Sequence, residues 1–197
     1  RGNPSFNSLF DNKMSVLFGD YVLAMALREL SSVGVIENFS ILSELSKNLS
    51  SGEIFQLVVR NSDVLSEDSY FDIIYRKTAC LFSSCCRMTA ITCGADPKQA
   101  DAFAEFGRMA GICFQIKDDM MDYEGGDIGK PAGVDLKEQK ITLPLLGAFH
   151  NAPDETERLV RQMVCGIPQH PENVERIISF VKEYNGMEYA AEKLHSL

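Results

Sequence analysis

Phe114-Gln115-Ile116-Lys117-Asp118-Asp119-Met120-Met121-Asp122 is the stretch on which the reading of this chain turns. From Pro97 the spacing predicts one long helix, running through Phe103, Phe106, Met109, Ala110 and Phe114 to Tyr123. Three carboxylates within five residues close it. The placement is electrostatically poor, because the C-terminal end of a helix favours cations. Asp118 and Asp122 are four apart, so they share a face and repel. Asp is also a weak helix former. Two readings fit such a cluster: a solvated acidic patch, or a divalent-cation site built from hard oxygen ligands. Taken alone, Asp-Asp-x-x-Asp favours the patch, and the surrounding chain decides.

Gln115 lies three residues before Asp118 and shares its face. Gly107 and Gly111, four apart, let another helix approach closely. Downstream, 124–140 reads as a glycine-rich loop with Gly125, Gly126, Gly129, Gly133 and Pro131. It carries Lys130, Asp135 and Lys140, and lysines this near an aspartate cluster can supply counter-charge to a bound phosphate. Thr142-Leu143-Pro144 starts another helix, and helical segments are expected at about 153–165, 171–184 and 186–196.

Upstream, residues 1–12 read as irregular. Lys13–Leu30 is dense in apolar residues and is expected to be a helix buried on most sides, with Asp20 inside it as a cap or a paired core acid. A loop at Ser31–Gly34 precedes a helix over Asn38–Arg60, striped by Ile41, Leu42, Leu45 and Leu49. Glu53 and Gln56 sit three apart on that helix, either at the surface or facing a cavity. Ser66 caps the next helix, with Glu67 and Asp68 in its first turn, and Gly94 ends it. Lys77 and Thr78 fall in its middle, where the ordinary readings are a surface lysine and a minor propensity defect. No stretch alternates like a strand, and no repeat is visible. The fold class is all-α, with residues 1–197 as one domain of helices round a common core.

A chain of 197 residues supports one sizeable core. A net charge of -9 argues against a nucleic-acid backbone as partner, but not against phosphorylated small molecules. The six cysteines form no Cys-x-x-Cys pair and are expected to be small buried hydrophobes in a reducing compartment. His150, His170 and His195 are scattered, which argues against a zinc site. With no apolar run long enough to span a bilayer and no visible signal peptide, the expected location is cytoplasmic. The chain opens at Arg1 without an initiator Met and reads as part of something larger.

Seven separated blocks, in order, make the chain resemble the trans-type isoprenyl diphosphate synthases, or polyprenyl synthetases. They are Arg1-Gly2-Asn3-Pro4, Gly19-Asp20-Tyr21, Gly52-Glu53-x-x-Gln56-Leu57, Lys77-Thr78-Ala79, Phe114-Gln115-x-x-Asp118-Asp119-x-x-Asp122, Gly129-Lys130-x-x-Gly133-x-Asp135-Leu136, and Lys140-x-Thr142-Leu143-Pro144. Each is weak alone; together they are specific and cover nearly the whole chain. The resemblance implies an antiparallel helix bundle of the isoprenoid synthase type, incomplete at the N-terminus. It implies a Mg²⁺-dependent prenyltransferase that condenses an allylic diphosphate with isopentenyl diphosphate, and a homodimer. Asp118, Asp119 and Asp122 are then expected to hold Mg²⁺. Arg1, Lys77, Lys130 and Lys140 are expected on the diphosphates, with Thr78 and Gln115 placing dipoles near the cationic carbon; Lys77, Thr78 and Gln115 form the expected catalytic set. Glu53 and Gln56 match the medium- and long-chain members.

The family carries a second aspartate-rich motif a few residues before the arginine block, and this chain starts inside that block. The resemblance therefore implies a fragment that does not turn over alone. Two alternatives stay open: a catalytically silent regulatory subunit of a heteromeric synthase, and a class I terpene cyclase, which shares the aspartate motif and the helical fold but is not expected to carry the Lys-Thr, Phe-Gln and Gly-Lys blocks together.

Overall fold

The computed structural model describes Pro4 and residues 6–60, 65–124 and 132–197. Among these the regular elements are all helical. In chain order they are α1 (Phe6–Leu9), α2 (Asn12–Val33), α3 (Ile36–Arg60), α4 (Glu67–Ile74), a wide π-helical turn (Tyr75–Ala79), α5 (Cys80–Thr92), α6 (Pro97–Glu124), α7 (Val134–Lys137), α8 (Leu143–Asn151), α9 (Asp154–Cys165), α10 (Asn173–Glu183) and α11 (Gly186–His195).

Local chemistry sets the boundaries. Asp11 caps α2 by accepting the Met14 N–H at 2.7 Å, and Gly34, at φ 73°, stops it in the left-handed conformation. Ser66 caps α4, accepting the Ser69 N–H at 3.2 Å, as expected. Asp96 and Gln99 cap α6 reciprocally: the Gln99 N–H reaches the Asp96 carboxylate at 2.9 Å, and the Asp96 N–H reaches the Gln99 side chain at 3.1 Å.

The core lies in the C-terminal half. Every residue of α8 from Leu143 to Phe149 is buried, so this helix is apolar all round. Ile112, Ile116, Met120 and Tyr123 of α6, Val160 and Val164 of α9, Ile177 and Val181 of α10, and Ala190 of α11 belong to the same cluster. Two close approaches fix α11 against α8. A Cβ at Gly186 would stand 2.1 Å from the Pro144 carbonyl oxygen, and one at Gly147 would stand 2.6 Å from the Tyr189 Cβ. The expected close approach at Gly107 and Gly111 joins α6 to α5. A Cβ at Gly107 would lie 2.6 Å from the Phe82 carbonyl oxygen, and one at Gly111 would lie 2.5 Å from the Ala79 Cα.

Several expectations change: Phe6–Leu9 of the expected irregular start form α1, and Val134–Lys137 of the expected loop form α7. The apolar helix at the start is not buried: α2 holds no buried residue, and Val16, Leu17, Phe18, Tyr21, Val22 and Leu23 are exposed. Its apolar density has no core to face, because among the described residues the core gathers around α8 instead; Asp20 is exposed as well. Ser31–Val33 continue α2, so the turn shrinks to the residues around Gly34. Of the six cysteines only Cys80 is buried; Cys86 and Cys113 are half-buried, and Cys85, Cys93 and Cys165 are exposed.

These contacts predict opposite outcomes for two glycine substitutions. Gly186→Ala forces a methyl onto the Pro144 carbonyl and should cost about 1–3 kcal/mol, the usual range for overpacking. Gly19→Ala, in α2 with nothing within 4 Å of the new Cβ, should raise stability by up to about 1 kcal/mol through helix propensity. Urea unfolding of the two variants checks both signs.

Candidate active site

Where α3, α4, the wide turn, α6 and residues 135–142 meet, they enclose a cavity of about 220 Å³. Its polar wall carries Lys77, Thr78, Gln115, Asp119, Asp135 and Lys140; its apolar wall includes Leu57, Leu65, Ile73, Ile74 and Ile141.

The sequence builds the polar wall in steps. The π turn at Tyr75–Ala79 widens the helix locally, and the neighbours Lys77 and Thr78 both reach the cavity from it. Gly52 lets α3 close on this turn, since a Cβ there would lie 2.6 Å from the Arg76 Cβ. Glu53 is thereby brought to 2.8 Å from the Lys77 ammonium, which also donates a hydrogen bond to the Gln56 side chain. Glu53 and Gln56 thus face the cavity, and Lys77 is held rather than solvated.

A chain of hydrogen bonds crosses the site. Thr78 Oγ1 donates to Gln115 Oε1 at 2.7 Å, and Gln115 Nε2 donates to Asp119 Oδ1 at 2.7 Å. The Tyr70 hydroxyl donates to the other oxygen, Asp119 Oδ2, at 2.7 Å. Tyr70 and Asp119 are only 3% and 4% exposed. Burial pushes the Asp119 carboxyl up to about 7; the Tyr70 and Gln115 hydrogen bonds work against this, and the nearby Asp135 and Asp118 carboxylates add to it. Burial also raises the Tyr70 hydroxyl well above its ordinary range, with the Asp119 charge next in effect.

Lys140 bonds to Asp135 at 2.9 Å and to Glu138 at 2.6 Å. Burial works against its charge, but the Glu138 and Asp135 carboxylates outweigh that and hold its ammonium above the ordinary lysine value. Asp118 is half-buried and near enough to repel Asp119. Asp122 is buried, and its carboxylate accepts the backbone N–H groups of Val134 and Asp135, each at 3.0 Å.

The structure therefore brings Lys77, Thr78, Gln115, Asp119 and Lys140 to one cavity. It does not gather Asp118, Asp119 and Asp122 into one ligand set: among the described residues no three acidic, histidine or cysteine side chains form a group able to hold a metal ion. Gln115 bonds to Asp119, one turn away, rather than to Asp118. Arg1 and Lys130 lie outside the described residues. Tyr70 escaped sequence reasoning, although it stands seven residues before Lys77, two helical turns along the same face. Asp119 and Asp118 still suit a divalent cation: they are hard oxygen donors, and the buried one keeps a proton where a positive charge would relieve the repulsion.

The raised Asp119 has a stability consequence. Its folded value is about 7, against an ordinary 3.8. Between about pH 4 and 7 the folded state therefore binds more protons than the unfolded one, so stability falls as pH rises across that window and levels off above it. In protein freed of divalent cations by chelation, urea unfolding at about pH 5 and pH 8 should show this loss, and Asp119→Asn should flatten it.

Residues 1–181 match the family described as polyprenyl synthetase. Octaprenyl diphosphate synthase of Escherichia coli K12 is 35% identical over 166 residues, covering 83% of this chain and 51% of that protein. The probable mitochondrial hexaprenyl pyrophosphate synthase of Yarrowia lipolytica is 36% identical over 195 residues, covering 95% of this chain and 42% of that one. The polyprenyl synthase of Caulobacter crescentus CB15, solved with calcium and isoprenyl diphosphate, superposes with a TM-score of 0.88 at 27% identity, over 96% of this chain and 58% of that one. The chain spans about half the length of the two curated relatives. With a match running from Arg1 into α10 and the same helical arrangement, the chain belongs to the polyprenyl synthetase family.

Proposed function

We propose that the protein containing this chain is a trans-prenyltransferase that condenses an allylic diphosphate with isopentenyl diphosphate, head to tail, into a polyprenyl diphosphate. The observation that carries this is the composition of one cavity wall. Two held ammonium groups, Lys77 and Lys140, stand beside a buried carboxylate, Asp119, and an apolar surface from Leu57, Ile73, Ile74 and Ile141 continues the wall. That pairing suits a molecule with an anionic head and a hydrocarbon tail.

In this reading Lys77 and Lys140 bind diphosphate oxygens, and Arg1 and Lys130 add further contacts. The allylic C–O bond breaks, with its electron pair leaving on the diphosphate. Thr78 donates its hydrogen to Gln115, which turns the lone pairs of the Thr78 oxygen elsewhere; directed at the allylic carbon they stabilise its positive charge. The double bond of isopentenyl diphosphate attacks that carbon, and a proton then leaves to the departed diphosphate. Asp118 and Asp119 are the residues that would hold Mg²⁺, which supplies charge neutralisation at the leaving group. The apolar wall keeps water from the cation.

The exposed apolar face of α2 supports a homodimer formed through it. Among the described residues no helix is long and apolar enough to cross a membrane, and we place the protein in the cytoplasm, with residues 1–197 as part of one catalytic domain.

Incubating the full-length protein with Mg²⁺ and an allylic diphosphate, with and without isopentenyl diphosphate, should give a lengthened prenyl diphosphate only in its presence. A cyclic hydrocarbon formed without it would identify a cyclase instead. Asp118→Ala should lose about a hundredfold or more in kcat; full activity in that variant sinks the Asp118 assignment. Leu17→Glu should convert a dimer to monomer in light scattering, and an unchanged mass removes α2 from the interface.

A further inference from the structure

Asp122 is the third carboxylate of the cluster, and its position in the motif suggests a third cation ligand. Its surroundings point elsewhere. The side chain is 9% exposed. Oδ1 accepts the Val134 N–H and Oδ2 the Asp135 N–H, both at 3.0 Å, while the Asp122 carbonyl accepts the Gly133 N–H at 2.9 Å. Three consecutive N–H groups thus converge on one residue at the end of α6. Gly133 makes this approach at φ 74°, and a Cβ there would stand 2.4 Å from Val174 Cγ1. The chain could not fold back this way with a larger residue at that position.

The tethered segment leads straight into the cavity wall. Asp135 accepts from the Lys140 ammonium at 2.9 Å, and its carbonyl accepts the Lys140 N–H at 2.9 Å. Asp135 and Lys140 both line the cavity. Turning Asp122 toward a cation in the cavity would strip two half-buried N–H groups of their acceptor, an unfavourable exchange.

We propose that Asp122 is a positioning residue: it caps the Gly133–Asp135 backbone, and so holds Asp135 and Lys140 at the cavity, instead of ligating the cation. This rests on the reading of Lys140 as a diphosphate contact. The two roles respond differently to substitution. Asn and Ser each keep one acceptor oxygen of the two that this cap uses, and Ala keeps none. A residue that only caps leaves the number of bound cations unchanged whichever side chain replaces it, whereas loss of a ligand lowers that number.

The test uses full-length protein with Mn²⁺ and inorganic pyrophosphate as probes. Asp122→Ala should weaken pyrophosphate binding about tenfold, within the range of a lost cap, and Asp122→Asn and Asp122→Ser, with one acceptor oxygen left, should lose less. The number of Mn²⁺ ions bound with pyrophosphate, counted by electron paramagnetic resonance, should be unchanged in all three. Equal loss in the Asn and Ala variants, together with a missing Mn²⁺, overturns the proposal. Lys140→Ala is measured in parallel, and Asp122→Ala should add little to it, because two residues acting through one contact are not additive; full additivity also overturns the proposal. If Lys140→Ala leaves pyrophosphate binding untouched, the diphosphate role of Lys140 falls, and hydrogen exchange then judges the tether alone. Faster exchange of the Val134 and Asp135 amides in Asp122→Ala, slowed again at one of the two in Asp122→Asn, supports it. Unchanged exchange overturns it. Should Asp122→Ala fail to fold, the Asn and Ser variants still separate capping from ligation.

Discussion

Helix α6 touches the backbone of its neighbour, and the site depends on that contact. At Gly107 and Gly111 the separation leaves no room for a methyl group. Continue the same spacing of four and the next residues are Gln115 and Asp119. One stripe of one helix therefore does two jobs in sequence. Its first half is small, and lets α6 lie against Phe82 and Ala79. Its second half is polar, and meets Thr78 and Tyr70 at hydrogen-bonding distance because the first half has already set the gap.

The three neighbouring carboxylates that looked misplaced at a helix end each escape repulsion differently. Asp118 is half-buried, where solvent screens it in part. Asp119 is buried and keeps its proton up to about pH 7. Asp122 is buried too, but two backbone N–H groups meet its charge. The cluster is thus three sites in one motif, and the poor electrostatics of the helix terminus is resolved separately at each.

Much of this was legible in the sequence. Caps at Ser66 and Gly94, the proline opening α6 and the glycine pair within it rest on local rules that tertiary structure did not override. Helical spacing alone, however, does not choose between neighbours three and four residues away: Gln115 shares a face with Asp118 but bonds to Asp119. Tyr70 carried no signal beyond its register with Lys77. The α2 helix misled because apolar density records a preference for burial and not what covers the surface. The capping role of Asp122 needed the chain to fold back across residues whose loop composition says nothing about where they land.

The wide turn at Tyr75–Ala79 has a consequence for how this chain can vary. A π turn is a helix carrying one residue more than its register requires. Removing one residue there would restore a regular helix with the flanking turns in register, and would take away the local widening that presents Lys77 and Thr78 together. Phe82 and Ser83 would keep their place against Gly107, but Lys77 and Thr78 would no longer both reach the cavity, and the Thr78 bond to Gln115 would be at risk. Most helices shorten at their ends with little harm; this one has a fixed residue count in its middle, so length at that point is constrained as tightly as the identity of Lys77 or Thr78.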